Sequence, residues 1–157
     1  MNAKRREVLK QGGGVTLLTL LAAAGWLSPG MAMAQSWNKD AFETKSLDET
    51  MKALGGSAPV PSKDVQFVST PDIAENGAVV PISVSTTLPN VTSISILVAE
   101  NPNALAASYK IPEGTTPQVS NRLKMAKTSN VVAVVESGGK LYSASKGVKV
   151  TVGGCGG

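Results

Sequence analysis

From position 65 onwards, turn-forming residues interrupt the chain at intervals of about 10–12 residues, which leaves room only for short strands between them. The segments between the turns are rich in Val, Ile, Ser and Thr, and several alternate apolar with polar residues, as half-buried strands do. The predicted strands cover residues 65–69, 79–86, 92–99, 104–111, 119–126, 131–136 and 140–152. No helical pattern separates consecutive strands, so the spacing predicts an all-β fold, an immunoglobulin-like antiparallel β-sandwich formed by residues 57–152.

A helical segment is predicted ahead of the sandwich, at residues 35–56. Ser46 and Glu49 have the spacing of a capping box, in which two side chains bond free backbone N–H groups at the start of a helix. The apolar residues that follow at helical spacing are Leu47, Met51 and Leu54. We therefore expect a short N-terminal helix that lies over one sheet.

Residues 1–34 have the composition of an export signal. A basic start is followed by an apolar run at residues 15–27 and by a small-residue cleavage pattern at residues 32–34. The run is shorter than the roughly 20 residues that span a bilayer, so we expect a cleaved signal peptide and no membrane anchor. Arg5 and Arg6, followed by a hydrophobic pair and Lys10, resemble the twin-arginine signal that exports folded proteins to the periplasm. An ordinary secretory signal is the alternative.

The composition excludes several kinds of chemistry. The sequence contains no histidine and one cysteine, so it offers no Ser-His-Asp or Cys-His catalysis, no histidine metal ligand and no internal disulfide. The signal holds four of the 15 Lys and Arg and one of the 11 Asp and Glu, which leaves 11 basic and 10 acidic residues. Binding to nucleic acid needs a concentrated basic face, so we expect neither nucleic acid nor a membrane as a partner.

The single cysteine lies three residues beyond the last predicted strand, with glycine on both sides. The arm at residues 153–157 consists of Gly153, Gly154, Cys155, Gly156 and Gly157. Glycine lacks a Cβ and adopts both signs of φ, so the arm is expected to be narrow and flexible. An extended arm places the thiol roughly 10 Å from the strand end. No helix N-terminus or adjacent cation activates this thiol, so we infer a covalent substrate attachment site that partner proteins activate.

Three alternatives for Cys155 remain open. The arm is a disordered end without function, or its thiol forms an intermolecular disulfide that links copies of a structural or adhesive β-sandwich, or the thiol is the nucleophile of an enzyme. A thiol peroxidase or disulfide oxidoreductase uses a resolving cysteine or a CxxC pair, and this sequence has neither. The carrier and the crosslinked protein differ in whether sulfur adducts form on Cys155.

Two other segments contain residues with functional chemistry. Glu75-Asn76-Gly77 joins a carboxylate to a turn signal, and we predict a structural β-turn with Gly77 at positive φ. Lys124 and Lys127 are predicted on the solvated face of a strand, with a basic patch that guides an anionic adduct as the alternative. Arg122 is a candidate for a salt bridge to a partner.

Several blocks of the sequence resemble the SoxY family of the bacterial Sox thiosulfate-oxidising system. They are the GGCGG terminus behind a twin-arginine signal, PDIAENGAVVP at residues 71–81, Asn101-Pro102 followed by Ala104-Leu105-Ala106, and RLKMAKT at residues 122–128. The resemblance covers nearly all of the chain after the signal. It implies an immunoglobulin-like sandwich that needs no cofactor and no metal and is not itself an enzyme, with Cys155 as the covalent anchor and the four terminal glycines as its arm.

The resemblance also implies the partners. A smaller SoxZ-like β-sandwich subunit would form a heterodimer with the chain and be exported with it. A haem sulfur-transferase would join thiosulfate oxidatively to Cys155, and a hydrolase would release sulfate and leave a persulfide. A molybdenum–haem sulfur dehydrogenase, where present, would oxidise the remaining sulfur.

Overall fold

A computed structural model describes residues 38–55 and 58–152 of the chain. This part contains two short helices followed by nine strands. The helices are α1 (Lys39–Glu43) and α2 (Leu47–Gly55). The strands are β1 (Val60–Pro61), β2 (Val65–Phe67), β3 (Ile73–Asn76), β4 (Val80–Thr86), β5 (Val91–Val98), β6 (Leu105–Lys110), β7 (Gln118–Leu123), β8 (Ser129–Ser137) and β9 (Lys140–Val152).

The strands form two sheets that face each other. The larger sheet has the order β1-β9-β8-β5-β6, and the smaller sheet has the order β2-β4-β7. The pairs β5–β6, β5–β8, β8–β9, β2–β4 and β4–β7 are antiparallel. Strands β1 and β3 pair in parallel with β9, near its start and its end respectively. The predicted immunoglobulin-like sandwich is confirmed, with these two short parallel strands added.

All seven predicted strands are present, with ends displaced by up to three residues. The prediction lacks β1, which has two residues and contains Pro61, and β3, whose last two residues fall in the turn predicted at Glu75-Asn76-Gly77. Both are too short to show a clear alternation, and both owe their pairing to β9, which is distant in the sequence.

Alternate residues of the central strands fill the core between the sheets. The fully buried side chains there are Val80, Ile82 and Val84 of β4, Ile94, Ile96 and Val98 of β5, and Val131, Ala133 and Val135 of β8. Their period of two places every second side chain on the inner face of its strand. The core is therefore aliphatic, as expected for a chain with 4% aromatic residues.

The helices cover the outer face of the larger sheet. A second apolar cluster there contains Leu97, Leu105, Val132, Val134 and Leu141 with Ala41 of α1, and residues of α2 pack against it. This explains why β8 is buried on both faces along most of its length. The prediction of a helical layer over one sheet is confirmed.

The helical segment is divided into two helices, where the sequence predicts one short helix. The backbone of Thr44 is extended, with ψ 140°, and its carbonyl accepts a hydrogen bond from the N–H of Ala104 at 3.1 Å. The helix then restarts as predicted, because the Ser46 hydroxyl accepts from the N–H of Glu49 at 3.3 Å. The Glu49 carboxylate bonds the N–H of Lys45 at 3.3 Å, one residue before the cap.

Candidate functional site

The candidate site is the end of β9, the strand that leads to Cys155. Strand β8 accompanies β9 only as far as Val148. From the next residue onwards β3 pairs with β9 in parallel, and its partners are Lys149, Val150 and Val152. Strand β3 therefore supports the four residues of β9 that extend beyond β8.

Besides the ladder between the paired strands, further hydrogen bonds join this part of β9 to the β3 segment. The N–H of Lys149 donates to the carbonyl of Asp72 at 2.9 Å. The hydroxyl of Thr151 donates to the carbonyl of Glu75 at 3.0 Å. Lys149 and Thr151 are themselves exposed, so the end of β9 is held by its backbone pairing and not by burial of these side chains.

On the opposite edge of β9, one side chain continues the pairing where β8 has ended. The hydroxyl of Thr128 accepts a hydrogen bond from the N–H of Val150 at 3.0 Å. Thr128 immediately precedes β8, so its hydroxyl replaces the backbone partner that another residue of β8 would supply. Val150 is thereby held from both edges.

The last described residue of β9 is fixed by Gly77. The N–H of Gly77 donates to the carbonyl of Val152 at 2.8 Å, and the carbonyl of Gly77 accepts from the N–H of Met125 at 2.7 Å. Met125 is fully buried in the core and follows β7 of the smaller sheet. Gly77 thus links the end of β9 to the segment that follows β7 of the smaller sheet, through its own N–H and C=O.

The turn that contains Gly77 differs from its prediction in one respect. The described glycines with positive φ are Gly114, Gly138 and Gly139, so the expected positive φ at Gly77 is wrong. The side chain of Asn76 closes the turn instead, because its carbonyl oxygen accepts from the N–H of Ala78 at 2.8 Å.

The basic residues singled out in the sequence lie at the same end of the sandwich but not on a strand face. Lys124 and Lys127 follow β7, which ends at Leu123, so their predicted placement on a strand is wrong. Lys127 forms a salt bridge with Glu100 at 2.8 Å. Arg122 is exposed and lines, together with Lys124, an open surface cleft of about 410 Å³.

The structure describes the base of the arm but not the arm itself. Cys155 with Gly153, Gly154, Gly156 and Gly157 lies outside the described residues, as do Arg5 and Arg6 of the signal. Within residues 38–55 and 58–152, no group of three or more acidic side chains is placed to hold a metal ion. In the same ranges, no helix has the length and apolar character needed to cross a bilayer.

Sequence reasoning missed the residues that fix the base of the arm, namely Thr128, Asp72 and the backbone of Gly77. The Asn76-Gly77 pair indicates a turn at this point of the sequence. It does not indicate that the turn contacts the end of β9, because residues such as Glu75 and Thr151, which are hydrogen-bonded, are 76 positions apart.

Comparison with known proteins agrees with this architecture. The family model described as "Sulfur oxidation protein SoxY" matches residues 50–155, which include the cysteine. The chain is 45% identical to the sulfur carrier protein SoxY from Chlorobium limicola f thiosulfatophilum, with a TM-score of 0.62, and the match covers 68% of this chain and 97% of that one. The comparison with curated proteins gives no significant match.

Two other solved structures are more distant. A chain of the toxic shock syndrome toxin-1 study is 12% identical with a TM-score of 0.39 over 55% of this chain and 97% of that one. The human F-spondin reeler domain is 13% identical with a TM-score of 0.37 over 63% and 97%. The family match spans more than half of the sequence, and the chain belongs to the SoxY family of sulfur oxidation proteins.

Proposed function

We propose that this protein carries sulfur intermediates of thiosulfate oxidation covalently on Cys155, and that the glycine-rich arm swings the thiol into the active sites of partner enzymes. The chain catalyses nothing alone in this proposal. The observation that carries it is the SoxY match through residue 155, which contains the only cysteine of the sequence. The likeness to the Chlorobium sulfur carrier over 97% of that chain supports the same role.

The geometry at the end of β9 supports the proposal of a carrier arm. The carbonyl of Val152 is bonded to Gly77, and the thiol follows three residues later in the sequence. A fixed base followed by Gly153 and Gly154 gives an arm of roughly 10 Å that has no side chain before the cysteine. A narrow arm of this kind fits a cleft that would exclude a bulkier chain.

The chemistry proposed for Cys155 is balanced in two steps. In the first, the thiol and thiosulfate give Cys–S–S–SO₃⁻ with release of one proton and two electrons, and the haem sulfur-transferase accepts the electrons. In the second, water cleaves the bond to the sulfonate sulfur and gives the persulfide Cys–S–S⁻, sulfate and two protons without further oxidation. The partner enzymes supply the activation, since tethering at a fixed base raises the local concentration of the substrate at each active site.

The partners and the location belong to the same proposal. We propose a heterodimer with a SoxZ-like β-sandwich subunit, assembled before twin-arginine export to the periplasm, where the sulfate-releasing hydrolase and, where present, the sulfur dehydrogenase act on the arm. Arg5 and Arg6 supply the export signal. A free thiol at the tip also permits disulfide-linked self-association under oxidising conditions.

Intact-mass spectrometry tests the carrier role. We expect the protein, incubated with thiosulfate and the haem sulfur-transferase, to gain the mass of a thiosulfonate group, and then to retain the mass of one sulfur atom after treatment with the hydrolase. Cys155→Ser should abolish both additions without changing the melting temperature. A matched control is the Cys155→Ser, Gln118→Cys double variant, which places an exposed thiol on the body and should remain unmodified.

Three results would contradict this proposal. Full pathway activity of Cys155→Ser excludes the carrier role. Equal loading of a thiol at position 118 shows that the arm gives no advantage, and a chain found only as an inert disulfide-linked dimer assigns the cysteine to crosslinking.

A further inference from the structure

An open cleft of about 410 Å³ lies between the edge strands of the two sheets. Strand β6 ends the larger sheet, β7 ends the smaller one, and the amide of Asn121 joins them by a hydrogen bond to the Tyr109 hydroxyl. The loop after β5 and the start of β6 form one wall of the cleft, and the end of β7 forms the other. Arg122 and Lys124 line it together with apolar and amide side chains, and none of the described carboxylates does so. It is called the basic cleft below.

The two cations of the basic cleft are not neutralised by the rest of the described chain. The three salt bridges found in that part involve neither Arg122 nor Lys124. The carboxylate of Glu100, next in sequence to Asn101 of the cleft, is bound by Lys127 at 2.8 Å. Two unpaired cations in a cleft without carboxylates give it a positive potential, which favours an anion.

The backbone that carries both cations is fixed independently of their side chains. Arg122 belongs to β7 and pairs with Pro81 of β4. The side chain of Asn101 donates to the carbonyl of Lys124 at 2.7 Å and accepts from the N–H of Ala126 at 2.9 Å. This wall of the basic cleft is therefore preformed, and a ligand has to order only two exposed side chains.

The end of β9 lies two hydrogen bonds away from the basic cleft. The N–H of Gly77 donates to the carbonyl of Val152 at 2.8 Å, and the carbonyl of Gly77 accepts from the N–H of Met125 at 2.7 Å. Lys124 directly precedes Met125 in the sequence. Since Gly77 itself spans about 3.6 Å at most, the backbone of Lys124 is within roughly 10 Å of the carbonyl of Val152. A group attached three extended residues beyond Val152 has the same reach.

A sulfonate group has the chemistry that the basic cleft would bind. In the first proposed product, Cys–S–S–SO₃⁻, three terminal oxygens share the negative charge and accept hydrogen bonds. A guanidinium donates two parallel N–H bonds to an oxyanion of this kind, and an ammonium adds a compact positive charge. The persulfide that remains after release of sulfate has no oxygen acceptors, so it lacks the groups that the guanidinium binds.

We propose that Arg122 and Lys124 bind the sulfonate of a thiosulfonate adduct on Cys155, and that loss of sulfate frees the remaining sulfur from the cleft. This inference rests on the proposed function, which supplies the adduct. Two exposed cations bind an anion from solution only weakly. A tether of a few residues raises its effective concentration to the millimolar range, so the attached sulfonate occupies the cleft where a free one does not.

Tetrathionate tests this inference without any partner enzyme. The thiolate of Cys155 attacks one of the two central sulfur atoms of tetrathionate and forms Cys–S–S–SO₃⁻, while thiosulfate leaves with the electron pair of the central sulfur–sulfur bond. We expect loading to shift the NMR signals of the Arg122 Nε–H and of the Lys124 backbone N–H. The signal of Lys110, at the other end of β6, should not change.

Reaction of the loaded chain with 2-mercaptoethanol, an uncharged thiol, gives a second measurement. An adduct that spends about two thirds of its time in the cleft should react about threefold more slowly than a free one. We therefore expect the Arg122→Gln, Lys124→Gln double variant to react about threefold faster than the wild type. The matched control is Lys110→Gln with Lys140→Gln, which removes the same charge from exposed positions elsewhere and should react as the wild type does. Both double variants should keep the wild-type melting temperature, because all four side chains are exposed.

Three results overturn the inference. They are unchanged signals of Arg122 and Lys124 on loading, equal reaction rates of the cleft variant and the wild type, and equal acceleration in the control variant. If free thiosulfate at submillimolar concentration shifts the same signals in Cys155→Ser, the cleft takes its anion from solution and the tethered source is also wrong. The carrier role is decided separately by the enzyme-dependent mass changes at Cys155, since tetrathionate loads the thiol whether or not the enzymes do.

Discussion

Among single residues, Thr128 and Gly77 have an influence on the end of β9 that their size does not suggest. The Thr128 hydroxyl accepts a hydrogen bond from the N–H of Val150 at one edge of β9, and the N–H of Gly77 donates to the carbonyl of Val152 at the end of the strand. Each replaces a backbone partner that a longer neighbouring strand would provide. Together with the hydroxyl of Thr151, these two residues hold the end of β9.

Replacement of Thr128 by valine keeps the shape of the side chain and removes the hydroxyl. We expect faster hydrogen exchange at Val150 and Thr151, with a loss of about 1 kcal/mol or less in the free energy of unfolding, because water can replace this exposed hydrogen bond. Thr128→Ser is the control and should keep the wild-type exchange rates. Unchanged exchange in the valine variant would show that β3 alone holds the strand end.

Met125 has the opposite role, since it acts through burial. Its side chain is fully buried, and its N–H bonds Gly77. Met125→Ala should lower the free energy of unfolding by about 2–5 kcal/mol in urea titrations, because it leaves a cavity in the aliphatic core. Val68→Ala, at a side chain that is 58% exposed, should change it by less than about 0.5 kcal/mol. Similar losses for the two variants would contradict this account of the core.

At the scale of elements, the strands that alternate and the helix that carries its own cap follow from the sequence, whereas β1 and β3 do not. Strand β5 alternates plainly and appears where it is predicted, and Ser46 caps α2 as its spacing requires. Strand β3 has one buried residue, Ala74, so its pattern contains no alternation to detect. Its pairing partner is distant in the chain, and local propensity contains no information about such contacts.

The consequence for the site is similar. The cysteine and its glycines form a local sequence pattern, and their role stays a prediction, whereas the end of β9 is held by three distant segments that meet only after folding. The end of β7 shows the same effect, because Met125 bonds Gly77 and not β4, and the strand stops at Leu123 instead of at residue 126 as predicted.

The arm itself can be tested as an element. Gly153→Val with Gly154→Val narrows the allowed backbone conformations and adds bulk before the thiol. We expect slower turnover of Cys155 adducts by the partner enzymes, with no change in melting temperature. The matched control with alanine at both positions should lie between the wild type and the valine variant. A sharp fall in melting temperature would show that the arm is packed on the body.

At the scale of the whole molecule, the described part forms a two-sheet sandwich, and helices cover the outer face of the larger sheet. Residues 1–34 contain four basic residues and one acidic residue, whereas the rest of the chain has 11 basic and 10 acidic residues. A basic start of this kind is typical of an export signal, so we expect this segment to act during export. If the sandwich folds before it is exported, the proposed SoxZ-like subunit can bind before transport.

Replacement of both Arg5 and Arg6 by lysine tests this order. We expect loss of the protein from the periplasmic fraction and accumulation of folded precursor in the cytoplasm, because the twin-arginine route depends on the arginine pair and not on charge alone. Lys4→Arg is the control and should be exported normally. Periplasmic protein at the wild-type level in the double variant would assign the chain to the ordinary secretory route.

In the proposed carrier role, the hydrogen bond between Gly77 and the carbonyl of Val152 would limit the enzymes as well as the carrier. With its origin fixed there, a sulfur atom carried on Cys155 would travel no farther than three extended residues reach, roughly 10 Å. An enzyme whose reacting centre lies deeper than this beneath its own surface must bring its rim against the carrier body or receive no substrate. If Cys155 carries the substrate as proposed, one peptide hydrogen bond of the carrier would bound the depth of every catalytic tunnel that the chain serves.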